Sequence, residues 1–468
     1  MRDSTLSLST SAVPVEQFAA EQTLQRFAYT NNSGAESPPS GPPSPFFNNW
    51  RDGLTETTIF SPDQIPEIVS HDEPPTVAVL GVGYVGTHLV DIFATKFPVI
   101  GFDVSTTRIK DLAQAQMKNP ACLDIEYTYN TTALRRATHF LISVPTLLRN
   151  DRSIDASFLS KALQTVLKHA RLGSTIVIES SVAVGMTREL LGPMAKMGYF
   201  AGMSPERVDP GRTSPPVSVI PKIISALEDL RPGSLDAITR IYSAVFEHIV
   251  PVSSPEVAEM AKLYENCQRM VCIAYANEMA DVCYDMGIDP YEVCRASATK
   301  PFGYMDYRPG LGVGGHCIPV NPFYLLYNSN FPLLKEATLR MHERPKRIGL
   351  QLLDNLLVKK LSGTYGQSKP RVLTVGMGFK RGQSVLSYSP GLMLLNTLHS
   401  SAEVDVNWAD SLVPQNAIAG IPKLDDKEWH TLSLAQFDMI FVVFLQPGMD
   451  EEILRKLPAR TEVKWLSV

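Results

Sequence analysis

The fold is decided by the stretch TVAVLGVGYVGTHLVDIFATK at residues 76–96. An apolar run enters the glycine pattern GVGYVG, and a segment with helical apolar spacing follows it. A strand, a glycine turn and a helix in this order are typical of dinucleotide binding. Gly81 permits the tight turn, Gly83 lets the backbone approach a pyrophosphate, and Gly86 allows close packing of helix on strand. The stretch therefore predicts the start of a Rossmann-like domain; a purely structural glycine turn is the alternative.

The choice of cofactor follows from Asp103, at the end of the next strand pattern, VIGFDV at residues 99–104. A carboxylate there accepts hydrogen bonds from ribose hydroxyls and repels a 2′-phosphate, which favours NAD over NADP. An incidental aspartate at a strand end is the competing interpretation. We predict that NAD is bound by Gly81, Gly83, Tyr84, Val85, Gly86, Asp103, Arg108 and Thr146.

Further strand-like apolar runs lie along the chain, with helix-compatible stretches between them. They are HFLISVP (139–145), STIVIESS (174–181), RVLTVGMGFK (371–380), AEVDVNW (402–408) and MIFVVFL (439–445). Alternating strands and helices predict parallel sheets covered by helices. The fold class is therefore α/β, with two Rossmann-like doubly wound domains, the second one smaller.

A long helix joins the two predicted sheets. It begins at Ser254 and Pro255, a favourable cap and a favourable first turn, and no Gly or Pro follows before Gly287. About 32 residues at 1.5 Å each give a rod of roughly 48 Å, which is long enough to connect two domains.

Four segments are predicted along the chain. Residues 1–74 are rich in Ser and Pro and bury too little apolar surface to fold, so we expect a disordered tail. The NAD-binding domain spans residues 75–251, the central helical domain with the Cys317 loop spans 252–345, and the C-terminal domain spans 346–468.

Bulk composition excludes several classes of function. The chain has 468 residues, a net charge of −5 and no basic stripe, so no nucleic-acid partner is expected. Its apolar runs are shorter than the roughly 20 residues of a membrane span, and a secretory signal pattern is lacking, so no membrane partner is expected. The six cysteines include no CxxC pair, which predicts reduced thiols in a cytoplasmic protein without a metal site.

The candidate reacting group is Cys317, in the glycine-dense loop GLGVGGHCIPVNP at residues 310–322. Glycines around a thiol allow a substrate carbon to approach closely. Lys262 and Asn266 are four residues apart, so they project from one helix face and could stabilise an oxyanion. Glu206 and Thr146 complete the polar set. The alternatives are an inert thiol, a solvated lysine beside a surface asparagine, a turn carboxylate and a strand-end hydroxyl.

Taken together, these segments resemble the UDP-glucose/GDP-mannose dehydrogenase family, in particular the branch acting on UDP-N-acetylhexosamines. The matching stretches are VAVLGVGYVG (77–86), SVPT (143–146), MSPERVDPGR (203–212), IPK (220–222), KLYENCQRM (262–270), NEMADVC (277–283), ATKPFGYM (298–305), GVGGHCIPVNPFYL (312–325) and GFK (378–380). The similarity runs from about Thr76 to Asp450. The resemblance implies an NAD domain, a central helix used in forming a homodimer, and a C-terminal domain for a UDP-sugar.

The resemblance also implies a four-electron oxidation in two hydride transfers from the sugar C6 to NAD. Cys317 forms a thiohemiacetal with the aldehyde and then a thioester, which water hydrolyses to the carboxylate. Lys262 and Asn266 stabilise oxyanions, and Glu206 and Thr146 position water and transfer protons. The implied catalytic set also contains Asn321. The implied substrate-binding set is Glu206, Arg207, Lys222, Lys262, Asn266, Arg269, Gly314, Phe379 and Lys380.

The chain departs from the family pattern at several positions. Asn321 stands where the family usually has aspartate, and an amide cannot ionise, act as a base or offset a lysine charge. Ser384 and Val385 replace an acidic pair, and Ser387 replaces an arginine that reaches the substrate. The turn SSVAVGMT (180–187) is also altered, and the usual Asp-x-Arg ending is missing from VKWLSV (463–468).

Three hypotheses follow for the function. The leading one is an active four-electron nucleotide-sugar dehydrogenase, since Cys317, Lys262, Asn266 and the glycine fingerprint are present. The second is a two-electron dehydrogenase that stops at the aldehyde or acts on a related substrate. The third is a catalytically impaired paralogue that binds a nucleotide sugar. Asn321 and Ser387 keep the second and third hypotheses open.

Overall fold

A computed structural model describes residues 68–70, 72–118, 123–209, 211–212, 214–363 and 368–467. Part of the predicted disordered tail is attached to the first domain. The Val69 N–H donates to the Leu172 carbonyl at 2.9 Å. Glu73 and Arg171 form a paired salt bridge at 2.6 and 3.0 Å. Val69 and Glu73, which precede residue 75, thus contact the first domain; residues 1–67 and 71 lie outside the described residues.

The first sheet has eight strands in the order β10-β9-β8-β7-β4-β1-β2-β3, and β5 and β6 form a separate small hairpin. The strands are β1 (Val77–Leu80), β2 (Val99–Phe102), β3 (Ile125–Thr128), β4 (His139–Ile142), β5 (Leu147–Leu148), β6 (Ile154–Asp155), β7 (Thr175–Ile178), β8 (Phe200–Met203), β9 (Lys222–Ala226) and β10 (Ile249–Pro251). Strand β1 lies inside the sheet between β4 and β2, and its four apolar residues are buried, as in a parallel sheet covered on both faces. The sheet is parallel except where β9 runs antiparallel to β8.

Five helices accompany this sheet. They are α1 (Tyr84–Phe93), α2 (Thr106–Lys118), α3 (Ser157–His169), α4 (Met186–Lys196) and α5 (Ser234–Tyr242). Helix α1 buries Leu89 and Phe93 in the same cluster as Val77 and Val79 of β1. This packing places the start of α1 at the carboxyl end of β1, where parallel α/β sheets bind ligands.

Four helices form the middle of the chain. They are α6 (Pro255–Asp285), α7 (Pro290–Ser297), α8 (Asn321–Tyr327) and α9 (Pro332–Leu361). Helix α6 starts where the sequence predicts, with Ser254 as the N-cap, although the Ser254 side chain makes no capping hydrogen bond. At about 1.5 Å per residue, its 31 residues extend roughly 46 Å. It packs against α9, α8 and β9, and so connects the first sheet with the Cys317 loop.

A second, parallel sheet has the strand order β12-β11-β13-β14. Its elements are β11 (Arg371–Val375), α10 (Pro390–Ser400), β12 (Asp405–Ala409), α11 (Thr431–Leu434), β13 (Met439–Val442), α12 (Glu452–Arg455) and β14 (Glu462–Trp465). Trp408 is fully buried, and its indole N–H donates to the Ile421 carbonyl at 3.0 Å. With its two Rossmann-like sheets and long connecting helix, the molecule has the predicted fold class.

In the part of the chain that the structure describes, no helix combines the length and apolar composition needed to cross a membrane. Within the same ranges, the His, Cys, Asp and Glu side chains form no group of three or more that could hold a metal ion. Five of the cysteines are free thiols, and Cys122 lies outside the described residues.

Candidate active site

The glycine turn after β1 fits a dinucleotide pyrophosphate. Gly81 has φ +88°, and a Cβ there would lie 2.5 Å from the Ser143 carbonyl oxygen. A Cβ on Gly86 would lie 1.8 Å from the Gly81 oxygen, so only glycine permits this crossing of turn and helix. A Cβ on Gly83, the N-cap of α1, would meet no described atom within 4 Å. The turn thus leaves room for phosphates at a helix N-terminus, whose N–H groups attract anions.

Asp103 is held at the edge of this turn. Its carboxylate accepts hydrogen bonds from the Val82 N–H at 3.1 Å and the Ser105 N–H at 2.8 Å. The Arg108 Nε–H donates to the Val82 carbonyl at 2.9 Å. The carboxylate is therefore oriented by the glycine turn itself, as a partner for ribose hydroxyls requires.

Tyr84 connects the glycine turn with the loop at residues 206–212. Its hydroxyl donates to the Asp209 carbonyl at 3.4 Å and accepts from the Gly211 N–H at 3.3 Å. Val85 lines a small cavity together with Glu206. The cofactor-binding turn and the loop that carries Glu206 are thus neighbours.

Lys262 and Glu206 form a buried pair. The Lys262 ammonium lies 3.2 Å from the Glu206 carboxylate and also donates to the Glu206 carbonyl oxygen. Both side chains are about 7% exposed. A lysine and a carboxylate held together away from water can stabilise an oxyanion and transfer a proton at one place.

Cys317 lies in the turn that opens α8. Its carbonyl oxygen accepts from the Asn321 N–H at 2.9 Å and the Val320 N–H at 3.2 Å. Burial raises the pKa of the Cys317 thiol, and the positive charges of Lys262 and Arg269 act in the opposite direction. The Lys262 and Arg269 charges thus offset part of the effect of burial on the thiol.

The C-terminal domain packs against the Cys317 loop. A Cβ on Gly314 would lie 2.8 Å from Cβ of Phe379. Gly315 has φ +90°, and a Cβ there would lie 2.9 Å from the Phe379 ring. The Gly315 N–H donates to the Ser387 carbonyl at 2.8 Å. The glycines thus permit a close approach between the loop and the second domain.

Asn266 and Asn321 contact each other directly. The Asn266 amide N–H donates to the Asn321 side-chain oxygen at 2.5 Å, and the two residues are 3% and 2% exposed. The amide oxygen at position 321 thus accepts a hydrogen bond without bringing a negative charge into the site.

The family follows from comparison with known proteins. The model of the UDP-glucose/GDP-mannose dehydrogenase family, NAD binding domain, matches residues 75–246, and that of the family's central domain matches residues 256–341. A UDP-N-acetyl-D-glucosamine 6-dehydrogenase of Pseudomonas aeruginosa is 33% identical over 331 residues, covering 65% of this chain and 75% of that protein. The chain belongs to the UDP-glucose/GDP-mannose dehydrogenase family. It is an NAD-dependent dehydrogenase.

Other relatives point to the same branch. A UDP-N-acetyl-D-glucosamine 6-dehydrogenase of Salmonella typhi is 30% identical, covering 76% of this chain and 87% of that protein. Among solved structures, the UDP-D-ManNAc dehydrogenase from Pyrococcus horikoshii has a TM-score of 0.72 at 24% identity, covering 84% of this chain and 99% of that one. The likeness to that structure shows a shared fold.

Two further predicted site residues of this dehydrogenase, Thr146 and Arg207, make polar contacts of their own. The Thr146 hydroxyl donates to the Ser181 carbonyl at 2.8 Å. Arg207 binds the Glu265 carboxylate at 2.6 Å and the Pro221 carbonyl at 2.8 Å. The roles of Thr146 and Arg207 in binding or catalysis stay predictions.

The two predicted substrate lysines have different surroundings. The Lys380 ammonium lies 3.0 and 3.2 Å from the two Asp209 carboxylate oxygens, so it pairs the C-terminal domain with the loop that carries Glu206. The Lys222 ammonium is buried beneath that loop, 2.6 Å from the Glu179 carboxylate. That either lysine binds the substrate stays a prediction.

Several residues near the site are not predicted from the sequence. Asp209 lies in a matched motif, yet nothing in the motif reveals its pairing with Lys380. His342 on α9 contacts the Pro319 carbonyl at 2.9 Å through Nε2. Glu179 and Tyr242 are fully buried beneath the Glu206 loop. No local sequence pattern predicts these residues, because each one contacts a partner that is distant in the sequence.

Proposed function

We propose that this dehydrogenase oxidises the C6 alcohol of a UDP-sugar to the carboxylate through covalent intermediates on Cys317. The observation that carries the proposal is the buried Lys262–Glu206 pair, which lies one turn of α6 from Asn266. Asn266 donates to the Asn321 side chain, and the Asn321 N–H donates to the Cys317 carbonyl. A thiol, an ammonium and a carboxylate in one water-poor site are the groups that an aldehyde-to-acid oxidation needs.

The chemistry runs in four steps. Loss of a hydride from C6, with the hydroxyl proton passing to a water positioned by Glu206 and Thr146, gives the aldehyde. The Cys317 thiolate adds to the carbonyl carbon, and the oxyanion formed is stabilised by Lys262 and Asn266. Loss of a second hydride leaves a thioester. Water then adds to the thioester, giving its proton to Glu206, and the thiolate leaves as the carboxylate forms. Two NAD molecules, bound one after the other, would supply the acceptors, one for each hydride.

We propose a UDP-N-acetylhexosamine as the sugar substrate. The motifs ATKPFGYM and GGHCIPV support this choice, as do the relatives from P. aeruginosa and S. typhi, which are UDP-N-acetyl-D-glucosamine 6-dehydrogenases. Arg207, Arg269, Gly314, Phe379 and Lys380 are the proposed contacts for the nucleotide and the sugar. An ammonium such as that of Lys380 suits pyrophosphate oxygens.

The proposal includes a cytoplasmic homodimer. One side of α6 carries apolar side chains at intervals of three or four residues, and these are exposed in the single chain. They are Tyr275 at 64%, Met279 at 43% and Val282 at 45%, and Met286, the C-cap that follows the helix, continues the row at 69%. An exposed apolar surface of this kind marks a protein interface. A second copy of the chain is the proposed occupant.

The test is the stoichiometry of oxidation. Purified protein with NAD and a panel of UDP-sugars should form two NADH and one uronic acid per sugar consumed. Cys317→Ser should abolish acid formation, since serine gives no thioester. Cys294→Ser, which replaces a half-buried thiol on α7, should leave acid formation unchanged. Unchanged acid formation by Cys317→Ser would refute the role of this thiol.

The Asn266–Asn321 contact favours a second candidate, the impaired paralogue, because a neutral amide replaces the family's usual carboxylate. UDP-sugar binding without any NADH formation would support that candidate. One NADH per sugar with an aldehyde product would instead support the two-electron dehydrogenase.

A further inference from the structure

Beneath the Glu206 loop lies a buried cluster of three polar side chains, Lys222, Glu179 and Tyr242. The Lys222 ammonium contacts the Glu179 carboxylate at 2.6 Å, and the Tyr242 hydroxyl donates to the other oxygen of that carboxylate. Glu179 is 0% exposed, Lys222 is 5% and Tyr242 is 0%. The Lys222 ammonium also lies 5.8 Å from the centre of the Tyr242 ring and 5.7 Å from that of Phe246.

All three N–H groups of the Lys222 ammonium have hydrogen-bond partners within the protein. They face the Glu179 carboxylate at 2.6 Å, the Pro205 carbonyl at 3.2 Å and the Ser204 carbonyl at 3.4 Å. Two of its three partners are thus main-chain atoms of the residues that directly precede Glu206.

The surroundings of Lys222 are too small for a diphosphate. The cavity that it lines with Glu206 and Val85 has a volume of about 20 Å³. This is room for about one water molecule. A pyrophosphate could meet the Lys222 ammonium only if the loop above it moved away.

The cluster also holds the Glu206 main chain. The Glu206 N–H donates to the Glu179 carbonyl at 3.2 Å. On its other side, the Glu206 carbonyl accepts from the Lys262 ammonium. The backbone at Glu206 is therefore fixed from beneath by Glu179 and Lys222 and from α6 by Lys262.

We propose that Lys222, Glu179 and Tyr242 form a positioning cluster for the Glu206 loop, and that Lys222 supports this loop instead of contacting the substrate. The proposal rests on the proposed function for the role of Glu206. A displacement of about 1 Å in a catalytic group can cost up to about 100-fold in rate, so support of this kind matters to turnover. Removing one partner of a buried ion pair leaves a lone charge, which destabilises the fold.

The test therefore removes both charges of the pair together. Lys222→Met/Glu179→Gln should lower kcat at least about tenfold and leave a thioester on Cys317 detectable by mass spectrometry. The Kd of UDP should stay within about twofold of wild type, because no substrate contact is lost. Amide hydrogen exchange should accelerate in residues 204–209. The single variant Lys222→Arg, which keeps a positive charge beside Glu179, should retain part of the kcat that the double variant loses. Lys196→Met, which removes an exposed lysine of α4, should change none of these quantities.

Two outcomes would overturn the proposal. A UDP Kd raised tenfold or more, with unchanged exchange in residues 204–209, would make Lys222 a substrate ligand. Unchanged kcat, Kd and exchange would leave the cluster without a role. If the double variant does not fold, Tyr242→Phe removes a single hydrogen bond and should shift kcat and exchange in the same directions. UDP binding and exchange need no turnover, so the proposal stays testable if the wild type forms no acid.

Discussion

At the scale of single residues, the reactivity of Cys317 is set by opposing charges. Burial raises the pKa of its thiol; Lys262 and Arg269 lower that pKa, and Glu206 and Asp209 raise it. The net pKa lies above the ordinary thiol value. Because only the thiolate is nucleophilic, the rate of covalent attack should rise with pH up to that elevated pKa.

Alkylation of Cys317 by iodoacetamide, followed by mass spectrometry of its peptide, measures this pKa directly. Glu206→Gln should move the midpoint of the rate–pH curve to lower pH, because a negative charge is lost and Lys262 is left unopposed. Lys262→Met should move it to higher pH for the opposite reason. Shifts of both variants in one direction would contradict this account of the site. Alkylation of Cys294 in the same samples is the internal control.

The neutral side chain of Asn321 should limit the rate of thioester hydrolysis. Asn321→Asp keeps the acceptor for the Asn266 amide and adds a group that can take a proton from water. We expect thioester hydrolysis to accelerate at least about tenfold in single-turnover measurements, since a positioned general base typically contributes about 100-fold or more, with little change in the Kd of UDP. Asn355→Asp, on the exposed side of α9, is a matched control. An unchanged hydrolysis rate would mean that the amide at position 321 does not slow thioester hydrolysis.

The sequence predicts candidate residues for the site, but it does not predict which side chains they contact. Lys262 and Asn266 were expected to act together, yet each one bonds to a residue more than fifty positions away, Glu206 and Asn321 respectively. Such pairs depend on the crossing of α6 with the Glu206 loop and with α8. Local spacing carries no information about that crossing.

Among the secondary-structure elements, helices α6 and α4 are linked by hydrogen bonds of Glu259. Its carboxylate accepts from the Gly185 N–H at 2.6 Å and the Thr187 N–H at 2.7 Å, at the N-terminus of α4. Burial raises its pKa from 4.5 to about 7 despite these hydrogen bonds. A carboxyl whose pKa is raised on folding stabilises the folded state fully below pH 4.5, and this contribution is lost as pH rises through about 7.

The free energy of unfolding should therefore depend on Glu259 between pH 4.5 and 7. Relative to Glu259→Gln, the wild type should lose about 3 kcal/mol over this range, since one pKa unit corresponds to about 1.4 kcal/mol. Thermal midpoints of the two proteins at a series of pH values give the difference. Glu292→Gln, an exposed carboxylate on α7, should run parallel to the wild type. A constant difference between wild type and Glu259→Gln would show that Glu259 is ionised throughout.

Strands and helices with a strong apolar pattern were predictable, and their connections were less so. Strand β1 and the long helix α6 lie where the sequence places them, because an all-buried strand and an uninterrupted helix have distinct patterns. The antiparallel pairing of β9 with β8 was not anticipated. Strand direction depends on the route of the connecting chain, and apolar composition does not encode that route.

At the scale of the whole molecule, the Cys317 loop requires both sheets. Gly314 and Gly315 pack on Phe379, which follows β11, while the Lys262 and Glu206 side chains come from α6 and the first sheet. Neither sheet alone can assemble the site. The motif GFK was matched from the sequence, but its contact with the Cys317 glycines appears only when the domains are assembled.

The exposed face of α6 gives the last prediction. A charge placed in the middle of an apolar interface must be desolvated without a partner, which is costly. We expect Tyr275→Asp/Met279→Asp to convert a dimer to a monomer in light scattering after size-exclusion chromatography. Lys168→Asp, on the exposed side of α3, should leave the dimer intact. If the wild type is itself a monomer at micromolar concentration, or if the double variant stays dimeric, this face of α6 is not the contact between subunits.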